Sequence, residues 1–327
     1  MKLAPLFIVL ILAFSCNKND DAIENPNPDG KGLLENQKIT VSGLERNYHL
    51  YIPQNPINAP IVLLFHGNKS NNDEIIGIDR SFLNRDIKAP YKVWLTLAEQ
   101  ENIILVIPNG SEGSGGDNGW NDCRNDATGN PVSDDVLFST DLIDFVVNQY
   151  EANAAKVYAV GTSNGGQMSI RLAHEIPNKL AAFAAVVAAN PVDSQCANST
   201  VPISALFMNG TEDPINPYAG GDMAGDRGKV FSAQETIDYW VDRNKIAATP
   251  ITTDFTDTDT TDNCTVKKHL YTSGATNVEV AFYEVIGGGH TEPSIAERYG
   301  NLFKAIVKEQ NGDIEMAEEV WNFFKNK

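Results

Sequence analysis

Residues 157–166 read Val-Tyr-Ala-Val-Gly-Thr-Ser-Asn-Gly-Gly, and this stretch constrains the chain more than any other. The β-branched and aromatic run at 157–160 predicts a buried strand. It breaks at Gly161, and a helix-favouring stretch resumes over 167–174. Ser163 stands at the tip between them. That strand–turn–helix order is the context of a G-x-S-x-G nucleophile elbow. The turn is tight, so the serine takes strained backbone angles and its flanks have to be small. Gly161 and Gly165 supply the room. The helix begins beneath the serine, with its N-terminal N–H groups directed toward any developing negative charge.

A serine hydroxyl is a poor nucleophile at neutral pH and needs a base, which in turn needs an acid to fix its tautomer. The chain has five histidines. His49 falls in an edge strand, His174 in the elbow helix and His269 in a polar stretch, which are structural or solvated positions. His66 ends a strand upstream of Ser163. His290 lies in Ile286-Gly-Gly-Gly-His-Thr, a glycine-rich loop straight after the last strand, and is the expected base. The acid is expected between serine and histidine, in the chain order of α/β-hydrolases. Asp213 follows the strand at 203–207 by a short turn and is held by Pro214; Glu212 is its nearest rival, and Asp193 belongs to an earlier loop. Two donors should face the developing oxyanion. One is the N–H of Asn164; the other is expected from the His66-Gly67-Asn68 turn, as the N–H of Asn68.

The remaining patterning alternates strands with helices. Residues 38–41 and 46–52 predict a hairpin at a sheet edge, and 61–65, 103–107, 183–188, 203–207 and 278–285 further strands. Helices are expected over 93–101, from Ser133-Asp-Asp135 to Tyr150, and over 231–244 and 315–324. This is a doubly wound, mostly parallel α/β sheet with helices on both faces. Residues 69–92 and 294–313 read as insertions over it. Trp120 either anchors a Gly- and Asn-rich loop or stacks on substrate. The acidic run 254–262 reads as a solvated loop, since it lacks the glycine and terminal glutamate of an EF-hand loop.

The first residues read as a targeting signal: Lys2, an apolar stretch over 3–14 too short to span a bilayer, then Ala13-Phe-Ser-Cys16. This resembles a bacterial lipobox, with Cys16 as the lipidated residue, although Phe14 stands where a small residue is usual. The following Asn17-Lys-Asn-Asp-Asp21 resembles the acidic export signal of surface lipoproteins. Residues 1–15 are thus a lipoprotein signal peptide, 16–37 a flexible tether, and 38–327 a catalytic domain anchored outside the cytoplasm, on the outer membrane or surface of a Gram-negative cell. There, Cys123, Cys196 and Cys264 imply one disulfide and one leftover thiol, with the pairing open. The formal charge of −18 argues against nucleic acid as a partner.

Taken together, Leu64-Phe-His-Gly67, Ile107-Pro-Asn-Gly110, Gly119-Trp-Asn-Asp122, Ser133-Asp-Asp-Val136, Gly161-Thr-Ser-Asn-Gly-Gly-Gln-Met168, Asn209-Gly-Thr-Glu-Asp-Pro214 with Pro217-Tyr218, and Gly287-Gly-Gly-His-Thr291 resemble one family. It is the polyhydroxybutyrate depolymerase-like and feruloyl-esterase group of α/β-hydrolases, close to carbohydrate esterase family one. The resemblance covers roughly residues 38–326, in the family's order. It implies an α/β-hydrolase fold and a secreted serine esterase without cofactor or metal, acting on feruloyl or acetyl esters of plant polysaccharide or on hydroxyalkanoate oligomers. A serine peptidase and a non-catalytic glycan-binding lipoprotein are the rival classes. Trp120, His66 and Glu292 are the candidate substrate-binding residues. At position 292 the family often has tryptophan, in Gly-His-Thr-Trp-Pro, so Glu292 weakens an aromatic platform there.

Overall fold

In the computed structural model, which describes residues 30–81, 87–246, 249–273 and 277–327, strands and helices alternate along the chain. β1 (Gly32–Val41) and β2 (Leu44–Ile52) form a hairpin; β3 (Ile61–Phe65), α1 (Val93–Glu101) and β4 (Ile104–Pro108) follow. A short ribbon, β5 (Ser111–Glu112) with β6 (Asn118–Gly119), leads to α2 (Asp135–Tyr150), β7 (Val157–Thr162), α3 (Asn164–Glu175), β8 (Ala182–Val186) and β9 (Ser204–Gly210). A second ribbon, β10 (Gly221–Asp222) with β11 (Lys229–Val230), precedes α4 (Ala233–Arg243). Then come β12 (Ile251–Asp254), β13 (Thr265–Thr272), β14 (Glu279–Ile286), α5 (Asn301–Val307) and α6 (Met316–Phe324).

The main sheet has ten strands in the order β1-β2-β4-β3-β7-β8-β9-β14-β13-β12. The run from β4 to β14 is parallel, and an antiparallel pair closes each edge. Its centre is covered on both faces, so β3, β4, β8 and β9 are buried at every residue and carry no polar alternation. One face packs on α2, α3 and α4 through Phe138, Ile170 and Trp240; the other packs on α1 and α6 through Trp94, Trp321 and Phe324. Burial of each large apolar side chain contributes roughly 1.5–3 kcal/mol. Asp134 caps α2 by accepting from Leu137 N, and Ser232 with Glu235 forms a capping box on α4. Each such cap is worth about 1 kcal/mol. Among the described residues no helix is long and apolar enough to cross a membrane.

Three expectations are corrected. β1 starts at Gly32, inside the stretch read as a tether; a register shift between Leu34 and Gln37 breaks its alternation. β1, not β2, is therefore the outer strand. The chain between α4 and β14 contains two strands where the patterning shows none, and His269 lies in one of them. β12 is exposed throughout and β13 is only half-buried, so neither carries the apolar signature of a central strand. The acidic run is not simply solvated either. Asp262 is buried and, with Asp259, pairs with Arg298, while Asp313 accepts from the N–H groups of Thr258 and Asp259. The signal peptide and Cys16 lie outside the described residues.

Candidate active site

Ser163 follows β7 with φ 53° and ψ −119°, backbone angles that a non-glycine residue seldom adopts. The close packing that holds it there requires the two flanking glycines. A Cβ at Gly161 would lie 2.2 Å from the carbonyl oxygen of Gly165, and one at Gly165 only 2.1 Å from that of Phe65. The Ser163 N–H donates to Val186 O at 2.9 Å, which ties the turn to β8. Ser163 Oγ makes no hydrogen bond to any described residue.

The acid and base meet at the ends of β9 and β14, which are parallel neighbours. Thr211 N donates to Val285 O at 3.0 Å and Glu212 N to Gly288 O at 2.9 Å, so the two loops are laced together. His290 Nδ1 then lies 2.7 Å from Asp213 Oδ2. An ionised carboxylate only accepts, so the proton sits on Nδ1 and Nε2 is left as a lone-pair base. Asp213 Oδ1 accepts from the N–H groups of Ile215 and Asn216, both at 2.8 Å. Its side chain is 1% exposed, and that of His290 10% exposed. Glu212, the rival acid, is exposed.

Gly67, Asn68 and Gly119 approach the serine turn from the strand ends beside it. A Cβ at Gly67 would lie 3.7 Å from that of Ser163; one at Gly119 would lie 2.7 Å from Asn164 Oδ1 and 3.0 Å from Asn68 Oδ1. Neither the N–H of Asn164 nor that of Asn68 donates to another described residue. The Asn164 side chain is held firmly: Oδ1 accepts from Trp120 N at 2.7 Å, and Nδ2 donates to Asp122 Oδ2 at 2.6 Å. Asp122 is itself buried against Arg124, and Cys123 between them forms a disulfide with Cys196. Among the described residues Cys264 is the remaining thiol, and burial pushes it up to about 12.

The chain is similar to solved structures and to curated relatives. The acetyl xylan esterase of Aspergillus awamori superposes with a TM-score of 0.51 at 18% identity, over 84% of this chain and 98% of that one, which establishes the fold. Feruloyl esterase D of Neurospora crassa is 30% identical over 206 residues, covering 61% of this chain and 65% of the relative. A probable feruloyl esterase C of Aspergillus niger is 27% identical over 221 residues, covering 66% and 72%. The model of the prolyl oligopeptidase family matches residues 91–220. The chain has the α/β-hydrolase fold and is similar in sequence to feruloyl and acetylxylan esterases. It spans 22%, 50% and 65% of three further or overlapping relatives, a bifunctional acetylxylan esterase/xylanase of Neocallimastix patriciarum, a putative esterase of Nocardia uniformis and the Neurospora protein.

The three residues expected to touch substrate are all buried. Trp120 is 0% exposed; its Nε1 donates to His66 O at 2.8 Å and its ring meets Phe65 edge-on, so it anchors the loop. His66 is also fully buried. Nδ1 donates to Gly67 O at 2.8 Å and Nε2 accepts from Gly110 N at 2.9 Å, which requires the neutral ring. Burial accordingly pushes it down to about 4. The ring shapes the Gly67-Asn68 turn from behind. Glu292 is buried between Thr162 and Tyr299, so its carboxylate does not face substrate. An aromatic substitute in a sequence motif does not reveal which way its replacement points. Sequence reasoning gave no role to Asp122, which ends the Gly119-Trp-Asn-Asp122 motif, or to Arg124 two residues on; a charged pair flanking a cysteine was the available signal.

Proposed function

We propose that this chain is a serine carboxylic-ester hydrolase that removes feruloyl or acetyl groups from plant polysaccharide through an acyl-enzyme. The observation that carries this reading is the 2.7 Å His290–Asp213 contact beside a strained serine at a helix N-terminus. Ser163 Oγ attacks the ester carbonyl as its proton passes to His290 Nε2. The carbonyl oxygen becomes an oxyanion held by the N–H groups of Asn164 and Asn68. Collapse breaks the bond to the alcohol, which takes the proton from Nε2, and leaves the acyl group on Oγ. Water then repeats the sequence and releases the acid. Contacts between a nucleophile and its base often tighten only with substrate, so the reading does not require an Oγ–Nε2 hydrogen bond beforehand.

The named relatives support feruloyl or acetyl esters as the substrate class. The Cys123–Cys196 disulfide fits an extracytoplasmic protein, with the catalytic domain running from the start of β1 at Gly32, the leader exporting it and Cys16 anchoring it to the outer membrane. Esterified polysaccharide is then its partner. Methyl ferulate, acetylated xylan and 3-hydroxybutyrate oligomers should be offered to the protein and to Ser163→Ala. Turnover of one, lost in the variant, supports the reading and names the acyl group; equal rates in both proteins reject it. The prolyl oligopeptidase match favours a second reading, a peptidase built on the same three residues. Cleavage of peptide amides in preference to p-nitrophenyl acetate would select it.

A further inference from the structure

Position 292 differs from the resembled family in kind, and the structure gives the difference a use. Glu292 lies two residues beyond His290, and its carboxylate turns inward. Oε1 accepts from Thr162 Oγ1, and Oε2 accepts from Tyr299 OH at 2.6 Å. Thr162 ends β7 and is bonded directly to Ser163. Tyr299 is half-buried, and burial of its phenol, followed by the neighbouring Glu292, holds it well above the ordinary range, so it acts as a donor. One carboxylate thus joins the base loop, the residue before the nucleophile and the 294–313 segment.

That segment is a scaffold for the base loop rather than a decoration. His290 N donates to Val307 O at 2.7 Å, Gly289 N to Glu309 O at 2.8 Å, and Thr291 Oγ1 to Glu309 O at 2.8 Å. Gln310 is fully buried; its Nε2 donates to Glu292 O at 2.9 Å and its Oε1 accepts from Tyr299 N at 2.7 Å. All but the last of these bonds fix the loop to the segment; the Tyr299–Gln310 bond braces the segment itself. Among the described residues, only the Glu292–Thr162 hydrogen bond fixes the loop to the elbow.

We propose that Glu292 is a positioning residue that, through Thr162, locks the His290 loop to the serine elbow and sets the reach of the imidazole to Ser163 Oγ. The inference rests on the esterase reading. A reacting pair misplaced by about an ångström loses on the order of a hundredfold in rate. A bond that merely stabilised the segment would change melting temperature and leave kcat alone.

The test uses Glu292→Leu, Glu292→Gln, Thr162→Val and Tyr299→Phe with p-nitrophenyl acetate, each variant also followed by thermal melting. Glu292→Leu and Thr162→Val are expected to lower kcat by about tenfold to a hundredfold with KM within about twofold. Glu292→Gln should recover most of kcat, because its amide keeps an acceptor for Thr162 and a group for Tyr299. Tyr299→Phe should lower the melting temperature while kcat stays within about threefold. If Glu292→Leu does not fold, the near-isosteric Thr162→Val decides. Retention of kcat within about twofold in Thr162→Val overturns the proposal. Should the wild-type protein turn over no ester, the esterase reading fails by itself. The His290 Nδ1 proton resonance in wild type and Thr162→Val then decides: a displaced signal supports the lock, an unchanged one overturns it.

Discussion

Asp122 accepts a 2.6 Å hydrogen bond from the side-chain amide of Asn164, the residue that follows Ser163. The amide oxygen of the same side chain accepts from Trp120 N. The Asn164 peptide, whose N–H is proposed to face the oxyanion, is thereby fixed from its side chain as well as by the helix. Asn164→Ala keeps that N–H but releases its hold. Loss of an entire oxyanion donor costs about 10²–10³ in kcat, so this variant should lose about tenfold or more, with KM little changed. Steady-state kinetics on p-nitrophenyl acetate checks it.

The segment that carries Asp122 is itself stapled. Cys123 and Cys196 close a stretch with a sequence separation of 73 residues. Replacing both by alanine should lower the unfolding free energy by roughly 2–5 kcal/mol. Because Asp122 and Arg124 flank the staple, kcat should fall in the folded variant too. Urea unfolding followed beside the kinetics separates the two effects.

Asp213→Asn should be far more damaging to the reaction than to the fold. The amide can donate to His290 Nδ1, which then presents its proton at Nε2 and cannot act as the base. A kcat loss of about 10³–10⁴ is expected, by analogy with the same exchange in other Ser-His-Asp sites. Far-UV circular dichroism should remain that of the wild type.

Stability should decline in mild acid. Burial holds His66 and His174 at about 4, against an ordinary 6.5, so both are neutral in the fold and charged in the unfolded chain between those values. A depressed histidine contributes stability that is full above 6.5 and is lost as pH falls toward 4, because the unfolded state binds the extra proton. Near pH 5 unfolding should take up about two protons from this pair. His174→Gln should remove about one of them, which the pH dependence of the unfolding free energy measures.

The elbow, the parallel strands and the base and acid candidates were legible because their signals are local. Val157 to Val160, Ile61 to Phe65 and the loop around His290 each declare themselves within a few residues. β12 and β13 did not, since edge strands expose their side chains and need no apolar run. Nor did the roles of Trp120 and Glu292. Whether a side chain at a site faces substrate or core depends on contacts far along the chain, here His66 O for one and Thr162 for the other. The disulfide partner was illegible for the same reason: Cys123 and Cys196 meet only after β8 has returned the chain to the Asn121–Arg124 segment.

The most direct test of the account is covalent. The protein and its Ser163→Ala and His290→Ala variants would be exposed to a fluorophosphonate at pH 7.5, and the adduct located by intact-mass and peptide mass spectrometry. The account predicts a single adduct on Ser163 in the wild-type protein, none in Ser163→Ala, and labelling slowed by orders of magnitude in His290→Ala. A wild-type protein that stays unlabelled, or one labelled equally well without His290, would contradict it.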